Sequence, residues 1–209
     1  MIIEQIEIPG FQIFCYILGD EKSGEGIVVD PGGPAEPILE RAKLRGVNRI
    51  LYIVNTHCHV DHTAGNMEMH QLTGAPVAIH EADAVALANP NPGMLRMFGA
   101  EASPAAGVLL KDGDTIKFGI ESVKVIHTPG HSPGCICLHF PGYVLTGDTL
   151  FVGGVGRTDL PGGSHRTLQE SIRGRLFTLP DDTIVLPGHN YGYTPTSTIA
   201  REKKENVFV

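Results

Sequence analysis

The chain has 209 residues, 42% of them hydrophobic and 19% charged, which is enough apolar material for one packed domain and too much for a disordered segment. Its 26 glycines and 15 prolines point to a turn-rich fold rather than a helical bundle. A formal charge of −7 leaves no basic footprint for nucleic acid or for an anionic membrane surface.

Ile2 to Ile8 and Phe11 to Leu18 read as two strands of a hairpin turning at Pro9-Gly10. Met1-Ile2-Ile3-Glu4 lacks the basic start of a signal peptide, so a cytoplasmic protein is expected. Gly26 to Asp30 is a short apolar run halted by Pro31-Gly32-Gly33. Pro34 to Lys43 places Ile38, Leu39 and Ala42 at helical spacing, with Gly46 to close the helix. Arg49 to Val54 reads as a buried strand, followed by a polar loop and a helix from Thr63 to Leu72. Pro76 to Ile79 is a further strand, and Ala82 to Leu87 a helical turn or two.

Asn89 to Gly107 shows no period and is expected to be a long loop over the site, offering Met94, Met97 and Phe98 as apolar contacts. Strands resume at Thr115 to Phe118, Glu121 to His127, Cys135 to Phe140 and Tyr143 to Thr146. Gln169 to Phe177 reads as helix, Thr183 to Leu186 as strand and Thr198 to Asn206 as a final helix. The uncharged stretch around Val125 to Gly147 is no membrane span, since Pro129, Pro133 and Pro141 interrupt it. The four cysteines, Cys15, Cys58, Cys135 and Cys137, are too few for a disulfide scaffold and read as buried thiols. Hairpins outnumber strand–helix–strand units. An α/β fold of two mixed sheets face to face with helices outside fits best, and residues 1–209 read as one domain.

The segment Thr56-His57-Cys58-His59-Val60-Asp61-His62 carries the chemistry. His57 and His59 are two apart, so in extended backbone their imidazoles project to one side. Asp61 and His62 stand where the chain turns into a helix, and both can approach one point there. Imidazole and carboxylate suit zinc, iron or manganese. Two ligand pairs do not complete two sites. Three further polar residues follow apolar strands at Gly or Pro turns: His131 in Thr128-Pro129-Gly130-His131, Asp148 in Thr146-Gly147-Asp148, and His189 in Pro187-Gly188-His189.

Taken in this order, these residues resemble the metal signature of the metallo-β-lactamase superfamily, a four-layer αββα sandwich. The likeness runs from Val28-Val29-Asp30-Pro31-Gly32 to Gly188-His189. It implies two divalent ions, zinc first and iron or manganese as alternatives. His57, His59 and His131 would hold the first, Asp61, His62 and His189 the second, and Asp148 would bridge them. His70, His80, His127, His139 and His165 match no ligand of the family.

The stretches from Gly147-Asp148 through Arg157-Thr158-Asp159 to Gly163, and Gly188-His189-Asn190-Tyr191, are similar to the glyoxalase II-like, hydroxyacylglutathione hydrolase-like branch. By that likeness Arg157 and Tyr191 would contact glutathione, although Asp159 stands where the branch has a tyrosine. The C-terminal helical domain of the longer enzymes has no counterpart in the 20 residues after His189, where Arg201, Lys203 and Lys204 offer a partial substitute.

The implied activity is hydrolysis of a thioester by hydroxide held between the metals and oriented by Asp61. A thiol with a pKa of about 8.5 leaves without a general acid, which favours a thioester over an amide. The rivals are a persulfide dioxygenase holding one iron on His57, His131 and Asp148, and a lactonase of the same fold. The substrate expected is a small thioester. Neither nucleic acid nor membrane is expected as a partner, and the oligomeric state is left open.

Overall fold

The computed structural model describes residues 1–209. The first sheet runs in chain order from edge to edge: β1 (Ile2–Ile8), β2 (Ile13–Gly19), β3 (Glu25–Val29), β4 (Arg49–Val54), β5 (Val77–His80) and β6 (Val108–Leu110). The β1–β2–β3 meander is antiparallel, and β3 to β6 pair in parallel. The parallel pairs need crossovers, and α1 (Ala35–Leu44), α2 (Val60–Thr63), α3 (Asn66–Thr73), α4 (Ala84–Ala88) and α5 (Pro92–Phe98) lie in them.

The second sheet takes β7 (Thr115–Phe118), β8 (Glu121–His127), β9 (Ile136–Phe140) and β10 (Tyr143–Gly147). A small hairpin, β11 (Leu150–Phe151) with β12 (Gly154–Val155), and α6 (His165–Ser171) separate these from β13 (Ile184–Pro187) and β14 (Ser197–Thr198). The order is β14-β13-β10-β9-β8-β7, antiparallel except for β10 with β13. The chain ends on α7 (Ile199–Glu205).

The alternation of side chains along each strand sorts the core into layers. Along β2, which is buried throughout, Phe14, Tyr16 and Leu18 meet Val123, Val125, Ile136, Leu138 and Leu145 of the second sheet. Ile13, Cys15 and Ile17 point the other way, onto Ile38 and Ala42 of α1 and Met69 of α3. On the far side, Ile126, Cys137, Val144 and Val185 pack against Leu168, Ile172, Leu176 and Ile199. Apolar strands between two covered faces read as continuous hydrophobic runs, as β2 does. The result is the α/β four-layer arrangement of two mixed sheets with helices outside. The cysteines are unpaired, with Cys15, Cys135 and Cys137 buried, and no helix is long and apolar enough to cross a membrane.

Three expectations change, and one hairpin was not expected. Asn89 to Gly107 is not all loop: Asn91 caps α5 by accepting from Gly93 and Met94 N–H, Pro92 opens it, and Gly99 ends it at φ +60°. The helix expected from Thr63 to Leu72 splits at Gly65 into α2 and α3. The one expected from Gln169 starts earlier, because Ser164 caps it through Thr167 N–H, and it ends in a π-helical turn, Ile172–Leu176. The hairpin β11–β12 has strands too short for an alternation to show in sequence.

Candidate metal centre

The predicted metal ligands lie in the loops, and in one short helix, that follow the C-terminal ends of strands, and all converge at one rim. His57 and His59 follow β4, with Asp61 and His62 in α2; His131, Asp148 and His189 follow β8, β10 and β13. Gly147 turns the chain at φ +47°, and a Cβ there would meet Thr56 Oγ1 at 2.5 Å, so a side chain would push Asp148 off the site.

Two trios form. His57, His59 and His131 make one, and Asp61, His62 and His189 the other. In the first, His131 Nε2 lies 2.8 Å from His59 Nδ1 and 3.2 Å from His57 Nε2. In the second, His62 Nε2 is 3.1 Å from His189 Nε2, which lies 3.5 Å from Asp61 Oδ2. Asp148 stands between them, with Oδ1 3.2 Å from His62 Nε2 and Oδ2 3.5 Å from both His131 Nε2 and His189 Nε2.

The far nitrogens show which way the lone pairs face. His131 Nδ1 lies 2.7 Å from the Arg157 carbonyl, to which it can only donate, so Nε2 carries the lone pair. Thr56 Oγ1 donates to Asp30 Oδ2 at 2.6 Å and therefore accepts from His57 Nδ1 at 3.1 Å, which leaves His57 Nε2 as a lone pair too. His57 Nε2 and His131 Nε2 thus face one another at 3.2 Å, an arrangement that a cation between them would favour. Asp148 Oδ1 and His189 Nδ1 are buried without hydrogen-bond partners. Nitrogen ligands of a metal at about 2.0–2.1 Å stand about 2.9–3.4 Å apart for octahedral to tetrahedral angles, close to the separations seen here. The donor set fits a divalent ion in each trio.

Electrostatics point the same way. Burial, then the neighbouring imidazoles, hold His57 well below the usual histidine range, and the same causes bring His59 to about 4. Both are neutral donors. Burial also opposes charge on Asp148, yet His62 and His189 outweigh it and hold its carboxyl well below the carboxylate range. Asp61 is lowered against burial by the same two histidines. Against burial, Asp148, Asp30 and Asp61 raise His62, while Asp148 and Asp61 bring His189 to about 9. With protons as the only cations in play, the second trio holds positive charge where an ion would sit.

Tyr191 is 58% exposed and stacks on the His189 ring, centroids 4.5 Å apart. Arg157 is at the site through its backbone carbonyl, but its guanidinium is bound to Asp159 by two hydrogen bonds of 2.7 Å. The histidines set aside do stay outside: His80 stacks on His127 at 4.0 Å, and His70 Nδ1 donates to the Ala75 carbonyl.

Asp30 is not among the expected ligands, although it groups with His57 and His62. Buried at the end of β3, it accepts from Thr56 N–H at 2.8 Å and binds His62 Nδ1 at 3.0 Å. A carboxylate behind a ligating histidine fixes its ring and raises its basicity. The rule that selects His131, Asp148 and His189, a polar residue ending an apolar strand before a Gly/Pro turn, selects Asp30 as well.

The chain belongs to the metallo-β-lactamase superfamily, whose family model matches residues 8–189. Within it, the chain is 35% identical to hydroxyacylglutathione hydrolase GloC of Haemophilus influenzae, over 100% of this chain and 98% of that one. It is 33% identical to the human mitochondrial persulfide dioxygenase ETHE1, over 99% of this chain and 75% of that one. The structure superposes on the B3 metallo-β-lactamase BLEG-1 with a TM-score of 0.87 at 33% identity, covering 99% of both chains. It matches TTHA1623 in a di-iron-bound form with a TM-score of 0.85 at 31% identity, over 99% of this chain and 100% of that one.

Proposed function

We propose that this protein is a binuclear metallohydrolase that cleaves a thioester, with glutathione thioesters such as S-lactoylglutathione as its substrates. The observation that carries the reading is the pair of ligand trios with the Asp148 carboxylate reaching both. His57, His59 and His131 would hold one ion, Asp61, His62 and His189 the other, and Asp148 would touch each. Zinc, iron and manganese all suit this donor set, and the di-iron form of TTHA1623 supports the iron option. When bound, such a pair supplies Lewis acidity, making water nucleophilic at neutral pH and polarising an acyl carbonyl.

The chain's own residues do the rest. Asp61, with its side chain 24% exposed, is the ligand carboxylate more open to solvent, and it would orient the attacking water. Tyr191 lies across His189 with its ring open to solvent, placed to donate its hydroxyl to the peptide part of glutathione. A thiolate needs no protein acid to leave. The reading takes residues 1–209 as a single domain of this fold, acting in the cytoplasm.

The likeness to ETHE1 favours a second reading, a persulfide dioxygenase with one iron on His57, His131 and Asp148, a two-histidine, one-carboxylate set. Metal analysis of the purified chain, with parallel assays on S-lactoylglutathione, glutathione persulfide and a lactone, separates the readings. Two metals per chain with thioester cleavage are expected. One iron with oxygen consumption would replace the first reading with the second.

A further inference from the structure

Asp83 lies in the turn Glu81–Asp83 after β5, remote in sequence from every ligand, and its side chain is wholly buried. Its carboxylate is met entirely by donors from two loops. Oδ2 accepts from Cys58 N–H at 3.0 Å and from Ser132 Oγ–H at 2.6 Å, and Oδ1 accepts from Gly134 N–H at 2.6 Å. Cys58 sits between His57 and His59, and Ser132 follows His131. One side chain thus spans the two loops that supply all three nitrogens of the first trio.

We propose that Asp83 is a positioning residue for that trio, setting the distance between the His57–His59 loop and the His131 loop and with it the affinity of the first metal. The inference rests on the metal centre proposed above. The fit around the carboxylate is close: a Cβ on Gly134 would lie 2.6 Å from Asp83 Cγ, so a bare glycine is what lets the second loop close over it. The Ile136 N–H bond to the Thr56 carbonyl, 2.9 Å, joins the same loops at their bases but leaves their ligand-bearing tips to Asp83. The second trio has its own brace in Asp30, which holds His62 directly. Loss of Asp83 therefore acts on one metal and spares the other.

Asp83→Asn keeps the volume but turns an amide N–H₂ toward a donor, so at least one contact becomes a repulsion. Ser132→Ala removes one donor and leaves the carboxylate in place. The test is a competition titration of the full-length chain with Zn²⁺ against a chromophoric chelator. His59→Ala and Asp61→Ala serve as references that show which binding step belongs to which trio. The step missing in His59→Ala should weaken about ten- to a hundredfold in Asp83→Asn, and less in Ser132→Ala. The step missing in Asp61→Ala should not move. In the Co²⁺ form, the visible absorption of the first site should shift in Asp83→Asn. If Asp83→Asn does not fold, the selective weakening in Ser132→Ala decides the matter alone. Equal weakening of both steps, or of neither, in a chain that otherwise binds two metals would leave the metal centre standing and overturn the role of Asp83. A native chain that takes up no Zn²⁺ would overturn both.

Discussion

His131 and His62 show how single residues are aimed: each has its far nitrogen on an oxygen, the Arg157 carbonyl for one and Asp30 for the other, so the near nitrogen is left for a cation. The ligand roles differ in what their loss should do. His59→Ala removes a donor from the first trio alone and should leave about one metal per chain, whereas Asp148→Ala should deplete both and abolish turnover. Metal analysis of the two variants checks this, and two metals with full turnover in Asp148→Ala would end its bridging assignment. Arg157 raises a different question, because its fork already pairs with Asp159. Exposed ion pairs contribute little, so a substrate carboxylate can compete for the guanidinium. Arg157→Ala should raise KM for a glutathione thioester about tenfold while leaving a small neutral thioester unchanged. Asp159→Ala, which frees the fork, should lower that KM. If both substrates suffer equally in Arg157→Ala, the arginine only braces its glycine-rich loop.

Most elements were legible wherever an apolar run, alternation or helical spacing ran long enough, as in β4, β7 and β8, whose bounds match the sequence reading residue for residue. The misses share a physical cause. In α5 the Asn91-Pro92 pair is turn chemistry and also an N-cap followed by proline at the first helical position, and seven residues are too few for a period to separate the two. That helix puts Phe98 on Phe11, centroids 4.2 Å apart, so the segment meets the β1–β2 turn, whose Gln12 carbonyl accepts from Asn190 N–H between His189 and Tyr191. Met94 and Met97 are exposed, 39% and 67%. The expectation that this segment meets the acyl group can therefore be put to a single side chain, Phe98. Removing the whole loop would also remove Ser103, which holds Asn66 and through it Asn55, whose amide donates to the His62 carbonyl. Phe98→Ala is the cleaner probe. It should change the ratio of kcat/KM between long and short acyl thioesters by about three- to tenfold, at constant metal content, if the segment lines the acyl path. An unchanged ratio would mean that Phe98 only packs on Phe11.

At the level of the molecule, the two sheets are held together by the apolar layer between them and by polar ties at each end. At the end far from the candidate metal centre, Asp20 in the β2–β3 turn accepts from Lys22 N–H, Ser23 N–H and Ser23 Oγ–H, and reaches across to Ile120 N–H in the β7–β8 turn. The Lys22 N–H leads these bonds in bringing its carboxyl down to about 2, against the opposing effect of burial. A carboxyl lowered on folding stabilises above its unfolded pKa and loses that contribution as pH falls through the folded value. The gap in urea midpoint between the native chain and Asp20→Asn should therefore be full near neutrality and shrink between about pH 4 and about pH 2. A constant gap over that range would assign the stability to shape and not to charge.

At the opposite end, the proposed ligands come from both halves: His57 to His62 from the first sheet, and His131, Asp148 and His189 from the second. Metals there would staple the sheets, and unfolding would scatter every ligand except the local cluster after β4. Free ion at about a thousandfold excess over Kd adds about 4 kcal/mol per site. A chain of this size shifts by about 2–4 °C per kcal/mol. Stripping both sites with a chelator should thus lower Tm by about 15–30 °C, less whatever the unfolded His57–His62 segment still binds. His59→Ala, which leaves one site intact, should show a smaller fall on chelation than the native chain. Calorimetry with and without chelator reads both. A Tm that ignores the chelator in a chain shown to contain two metals would mean that the rim is held by its own hydrogen bonds, with Asp83 and the Ile136 N–H bond to the Thr56 carbonyl sufficient to keep the sheets in place.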